Sequence, residues 1–205
     1  MPAKGKVPII LYFKLYPLST IEIAGFLTAL TGVYLTIRQN RFCWPVNMMS
    51  AAIYAFFFME IRLYADAVLQ LFFIVMGVFG WISWSRKTEE TPLAVSRIRM
   101  RESVLLLLVA ISVMLLLGHL LQKHTDASIP YLDSFCFALS IIATWLAARK
   151  ILESWTLWII TDAIYTGMYL YKASYLTALL YLIFIVLAVS GYREWKRTIS
   201  QVSSK

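Results

Sequence analysis

Charged residues are scarce in this 205-residue sequence, making up 15% of it against 60% hydrophobic residues and a mean hydropathy of +0.72. A water-soluble domain cannot cover its surface with so few charges, so a single soluble fold is excluded and the solvent for the remaining apolar surface is lipid. Cysteine is nearly absent as well. Cys43 and Cys136 form no CxxC and no Cys/His spacing, which excludes a disulfide framework and predicts two small buried residues. His119 and His124 lack an HExxH pattern and any carboxylate at ligand spacing, and no Ser/His or paired-Asp arrangement occurs. No catalytic residue, metal site or cofactor is therefore expected, which argues against an intramembrane enzyme. No GxxxxGK[ST] run is present to drive a pump, and no lysine stands deep in the last apolar stretch to carry a retinal Schiff base, Lys172 falling in the loop before it. A cleavable signal peptide is not expected either, because the apolar run 7–13 is followed by Lys14 and lacks a small-residue cleavage site. That run is expected to lie at the membrane interface.

What is present is a series of apolar runs separated by short charged clusters. A span needs about 20 apolar residues to cross a hydrocarbon core of about 30 Å, and on that measure about seven spans are expected. They fall near residues 21–37, 44–59, 65–84, 104–121, 131–148, 155–171 and 175–192.

The net charge of +8 raises a nucleic-acid reading, but its distribution argues for topology instead. With these spans, Arg38, Arg41, Arg86, Lys87, Arg97, Arg99, Arg101, Arg149, Lys150, Arg193, Lys196, Arg197 and Lys205 share one side of the membrane. Lys4, Lys6, Lys14, Arg62, Lys123 and Lys172 share the other. The positive-inside rule then puts the C-terminus in the cytoplasm and the N-terminus outside.

The chain is also a duplication. Sliding it by about 111 positions aligns residues 21–86 with 132–197 without a gap, at roughly a quarter identity. Trp44 meets Trp155, Tyr54 meets Tyr165, Gly80 meets Gly191, Trp84 meets Trp195 and Arg86 meets Arg197. Two three-span units joined directly would be inverted, but the extra span between them lets both point the same way. The expected architecture is an all-α integral membrane protein in a 3+1+3 arrangement of two parallel three-helix repeats, with a solute path between them. Residues 1–20 form an extracytoplasmic segment, 21–86 the first repeat, 87–102 a cytoplasmic linker and 103–121 the connecting span. Residues 122–130 form an extracytoplasmic loop, 131–197 the second repeat and 198–205 a cytoplasmic tail.

Polar groups inside a span are costly and face a bundle interior or a watery cavity. Trp44, Asn47, Ser50 and Tyr54 recur at three-and-four spacing on one helix face. The matching helix carries Trp155, Trp158, Asp162, Tyr165 and Tyr169, and the following helices supply Gln70 and its equivalent Tyr181. Trp84 and Trp195 read as interfacial belt anchors, while Trp44 and Trp155 divide between belt and solute contact. Asn47 and Gln70 divide between solute contact and interhelical hydrogen bonding. Gly77 and Ala188 suit close helix packing. Asp162 lies about two turns inside its span, with no Lys or Arg at equivalent depth, so it calls for a hydrated cavity, a polar network or a cationic ligand. An aromatic stack with amides, hydroxyls and one carboxylate suits a flat, polar aromatic solute, neutral or cationic.

These residues resemble the PnuC family of vitamin-precursor transporters. The resemblance runs from about residue 21 to residue 197, and it is carried by Leu63-Tyr64-Ala65-Asp66 with Leu69-Gln70 and Gly80-Trp81, and by Trp155-x-x-Trp158-x-x-x-Asp162 with Tyr181 and Gly191. It implies a fold akin to the SWEET transporters, a homotrimer in the bacterial inner membrane, and facilitated diffusion of nicotinamide riboside trapped by a cytoplasmic kinase. Thiamine, riboflavin or a deoxynucleoside is the alternative cargo. By the same resemblance, Trp155, Trp158 and Asp162 are ligand contacts, joined by Gln70, Asn47 and Tyr181. Some members that carry nicotinamide riboside have Asn in place of Asp162 and of Gly77.

Overall fold

The computed structural model describes residues 20–60, 64–85, 93–125, 128–171 and 175–202. Their order is seven helices: α1 (Thr20–Ile37), α2 (Cys43–Glu60), α3 (Tyr64–Ser85), α4 (Met100–His124), α5 (Pro130–Ala148), α6 (Glu153–Tyr171) and α7 (Tyr175–Val202). Each falls on one of the apolar runs. Three differences concern helix ends: α4 starts at Met100 inside the expected linker, α7 runs on to Val202 through the expected tail, and the interfacial run 7–13 lies outside the described residues. The extension of α7 continues the helix as a charged segment, Arg193-Glu194-Trp195-Lys196-Arg197, which suits water rather than lipid.

Met100–His124 and Pro130–Ala148 are long and apolar enough to cross a membrane, as is 177–201 within α7; Ile23–Ile37 and Leu69–Ser85 are shorter apolar stretches. Helices α2 and α6 carry the polar stripe, and those residues dilute their hydropathy. The helices pack as a closed ring in the order α1, α2, α3, α5, α6, α7 and back to α1, with α4 outside it against α5. Contacts between the halves run α1 to α7 and α3 to α5, which exchange under the 111-residue shift.

The shift is also visible in the backbone. Helices α1 and α5 both end on a left-handed residue, Gln39 and Lys150, each at φ 52°. At the first, Gln39 N–H donates to Thr36 O at 3.0 Å and Asn40 N–H to Leu35 O at 2.9 Å. At the second, Lys150 N–H donates to Ala147 O and Ile151 N–H to Leu146 O, both at 2.9 Å. Both are Schellman closures, and they satisfy last-turn carbonyls that a helix end would otherwise leave open. Neither position is glycine, so each closure carries the cost of a Cβ in the left-handed region.

Candidate functional site

The polar stripe of α2 packs within its own repeat. Gly25 and Gly32 are two turns apart on α1, and their missing side chains let α2 approach: the ring of Tyr54 lies 3.1 Å from where a Cβ on Gly25 would stand, and Asn47 Oδ1 fills the same place at Gly32. The Ser50 hydroxyl, buried between the helices, donates to Gly25 O at 3.1 Å. On the other side of α2, Met48 packs over Gly77, in keeping with a packing role for that glycine. Gln70 is half-buried two turns before Gly77 on α3.

The second repeat uses its stripe differently. Asp162 is 6% exposed, and its carboxylate has neither hydrogen bond nor ion pair among the described residues. Beside it Thr161 is fully buried, with a hydroxyl that has no partner among the described residues. One turn on, Tyr165 stacks on Tyr181 of α7 (centroids 4.9 Å, planes 29° apart), and Tyr169 stacks on the same ring at 5.4 Å and 13°. Tyr181 lies within electrostatic range of Asp162, Tyr165, Tyr169 and Cys136. Phe184 continues the cluster, 6.4 Å from Tyr181, and meets Phe26 of α1 edge-on at 6.3 Å. Asp162, Tyr165 and Tyr181 are thus brought together. Trp158 is half-buried against the cluster formed by Ile37, Val95, Leu152, Trp155, Ala188 and Trp195. Tyr169 stands on the stripe without being named a ligand contact, and Phe184 and Phe26 are additions that the structure makes. Tyr169 follows Tyr165 by one turn and was visible on the stripe, whereas Phe26 and Phe184 carry no sequence mark that separates them from lipid-facing phenylalanines.

The tryptophans occupy the end of the ring that bears the basic turns. Trp44 packs over Gly80 and Trp155 over Gly191, where an added Cβ would stand 2.3 Å and 2.6 Å from the rings. Trp44 meets Trp84 edge-to-face at 5.5 Å and 89°, and Trp155 meets Trp195 at 5.4 Å and 89°. Across the halves, Trp84 and Trp195 touch at 6.1 Å. Trp195 Nε1–H donates to Thr36 O, and Trp84 Nε1–H to Ala147 O and Ala148 O, all at 3.2 Å. Thr36 and Ala147 are repeat equivalents, so each half reaches into the last turn of the other. Trp195 is 0% exposed. The belt reading of Trp84 and Trp195 is therefore corrected: they sit at span ends but point inward, into interhelical packing and hydrogen bonds. Trp44 and Trp155 are likewise buried, with indole N–H groups that have no hydrogen-bond partner among the described residues.

Beside this layer the Lys150 ammonium sits 4.7 Å from the Trp84 centroid, and burial pulls its pKa below the ordinary lysine value. The chain ahead of α4 is tied to the same turn. Ser96 N–H donates to Lys150 O at 3.0 Å, Leu152 N–H to Ser96 O at 2.9 Å, and Ile98 N–H to the Glu153 carboxylate at 3.0 Å, while Val95 packs with Leu152, Trp155 and Trp195. The first repeat closes its own turn, Phe42 N–H donating to Asn40 Oδ1 at 3.0 Å. A groove of about 400 Å³ lined by Arg193, Lys196, Arg197, Ser200 and Gln201 lies on the extension of α7, away from the polar cluster.

A family model described as nicotinamide mononucleotide transporter matches residues 19–197. The chain is 27% identical to the nicotinamide riboside transporter PnuC of Escherichia coli K12, covering 88% of this chain and 86% of that one. It is 22% identical to the riboflavin/roseoflavin transporter RibM of Streptomyces davaonensis, covering 85% and 83%. The crystal structure of the vitamin B3 transporter PnuC superposes with a TM-score of 0.72 at 19% identity, over 94% of this chain and 87% of that one, which shows the fold.

Proposed function

Because the chain belongs to the nicotinamide mononucleotide transporter family, the PnuC family of vitamin transporters, we propose that it imports nicotinamide riboside by facilitated diffusion through the six-helix ring. The relatives are transporters rather than enzymes, and the chain is a multi-pass membrane transporter of that kind. The observation that carries the choice of cargo is the unpartnered, buried Asp162 carboxylate beside the stacked Tyr165, Tyr169 and Tyr181. A buried carboxylate without a cation is costly, and a pyridinium ring supplies both the positive charge and a flat face for stacking. Trp158, Asn47, Gln70 and Tyr54 complete the proposed site, with Trp44 and Trp155 bounding it at the basic end.

Seven spans in a 3+1+3 arrangement, with the basic end in the cytoplasm of a bacterial cell, complete the reading. The exchange of α1–α7 and α3–α5 contacts and the paired Schellman turns support the parallel repeats. Among the described helices α4 packs on α5 alone, and it exposes most of its length, which supports assembly as a homotrimer. Phosphorylation of the nucleoside by a separate cytoplasmic kinase would trap it.

Thiamine, also a cationic aromatic, is the second cargo that Asp162 favours, whereas riboflavin gains nothing from the carboxylate. Quenching of tryptophan fluorescence in the purified protein separates these readings. Quenching by nicotinamide riboside alone is expected. A response to thiamine or riboflavin instead replaces the cargo, and silence from all three removes the proposal.

A further inference from the structure

The tryptophan layer joins the halves at the basic end of the ring, where Trp44 and Trp155 bound the proposed solute site and Trp84 and Trp195 lie outside it. It runs Trp44, Trp84, Trp195, Trp155 from one side of the ring to the other, at centroid steps of 5.5, 6.1 and 5.4 Å. Cys43, 0% exposed, packs in the same layer against Ala147 and Ala148 of the other half. A path between the repeats must pass this level, where Trp44, Trp155 and Trp195 are buried and Trp84 is half-buried.

Two kinds of contact meet in the layer. Within each half, Trp44 on Gly80 and Trp155 on Gly191 interlock ring and backbone so closely that neither partner moves alone. Between the halves, apolar packing of Cys43 and Trp44 with Ala147 and Ala148, and of Ile37 with the second repeat's core, is joined by two reciprocal sets of indole hydrogen bonds, one tilted ring contact, Lys150 over Trp84, and Gln39 Nε2–H donating to Thr198 Oγ1 at 3.1 Å. Thr36 O and Ala147 O also hold Schellman bonds, so each carbonyl keeps a partner if its indole departs. Water can take up the released donors. The layer is therefore interlocked ring into backbone inside each repeat, whereas between the repeats it meets across side-chain surfaces and exchangeable hydrogen bonds.

We infer that the four tryptophans are a gate at the basic end, which opens when Trp84 and Trp195 withdraw from the last turns of α5 and α1 while each Trp–Gly pair stays intact. The inference rests on the transporter reading above but not on its cargo. The strap at 95–98 assigns the moving part, because it fastens the second repeat's turn to α4, and α4 packs on α5. The second repeat, strap and α4 form one body, and the first repeat swings against it.

Cys43 is a native reporter of this motion. In Cys136→Ala protein held in nanodiscs without solute, its modification by a maleimide is expected to be slow. In Trp84→Phe/Trp195→Phe, which leaves a smaller aromatic ring at each place and removes both donors, the rate is expected to rise at least about tenfold, since local opening sets thiol reactivity. Lys150→Gln, which places the first repeat's residue in the second, is a milder variant, with about a threefold rise expected. A second reporter, Ala138→Cys in a Cys43→Ser/Cys136→Ala background, sits buried in the α4–α5 packing and is expected to stay slow in every variant. An unchanged Cys43 rate in both variants, or equal acceleration at both reporters, overturns the gate. Because no solute is present, a wrong cargo leaves this outcome untouched.

Discussion

The two repeats agree where they build and differ where they bind. Trp44 and Trp155, Gly80 and Gly191, Trp84 and Trp195, and the left-handed Gln39 and Lys150 occupy the same places and make the same contacts. One step along the same helices the correspondence fails: Asn47 answers to Trp158, Ala51 to Asp162 and Gln70 to Tyr181. The consequence is a symmetric frame around an asymmetric interior. A frame tolerates duplication because packing is a property of shape, whereas a solute with one charged ring needs its carboxylate on one side only.

If the frame is symmetric in energy as well as geometry, Gly80→Ala and Gly191→Ala cost alike. Each drives a Cβ into an indole held by its neighbours, and a loss of about 2–3 kcal/mol is expected from each. Thermal unfolding in detergent measures it, and a large drop for one glycine with none for the other breaks the comparison. The interior is expected to answer in the opposite way. Asp162→Asn weakens a cationic ligand by about 30-fold, the worth of a hydrogen bond to a charged group, and leaves a neutral one almost unchanged. Ala51→Asp added in the first repeat does not restore binding. Equal losses for both ligands, read by titration, would end the charge argument.

A finer test copies one repeat into the other at α7. Tyr181→Gln removes the ring on which Tyr165 and Tyr169 stack, and about 1 kcal/mol of ligand binding, near fivefold, should go with it. Binding unchanged in this variant places the ligand away from the tyrosines. The smallest effect concerns the turns. Ser96→Pro deletes the N–H that reaches Lys150 O, and Asn40→Ala deletes the acceptor of Phe42 N–H, with about 1 and 0.5 kcal/mol of stability expected to be lost. A reversed order would mean that the strap is incidental.

The duplication and the helices were legible because apolar runs and identical residues at constant spacing survive in one dimension. Trp84 and Trp195 were misread for an instructive reason. A tryptophan at a span end has the same sequence context whether it turns to lipid or to a neighbouring helix, and only the carbonyls of Thr36 and Ala147 decide between them. The Asp162 and Tyr165 stripe was legible by periodicity, but its meeting with Tyr181 depends on how α6 and α7 pack. Nothing in Val95-Ser96 announces a strap, since a parallel bridge to Ile151 has no local pattern.

That strap also fixes an order of assembly. The turn at Gln39 is complete as soon as Phe42 has been made, because Asn40 supplies its own acceptor. The turn at Lys150 closes on its own backbone as well, but its carbonyl and the Leu152 amide take their partner from Ser96, synthesised some fifty residues earlier. A nascent chain therefore meets its first half ready-made and completes its second only by reaching back, so a ribosome stalled before residue 152 would leave Ser96 without the amide it receives.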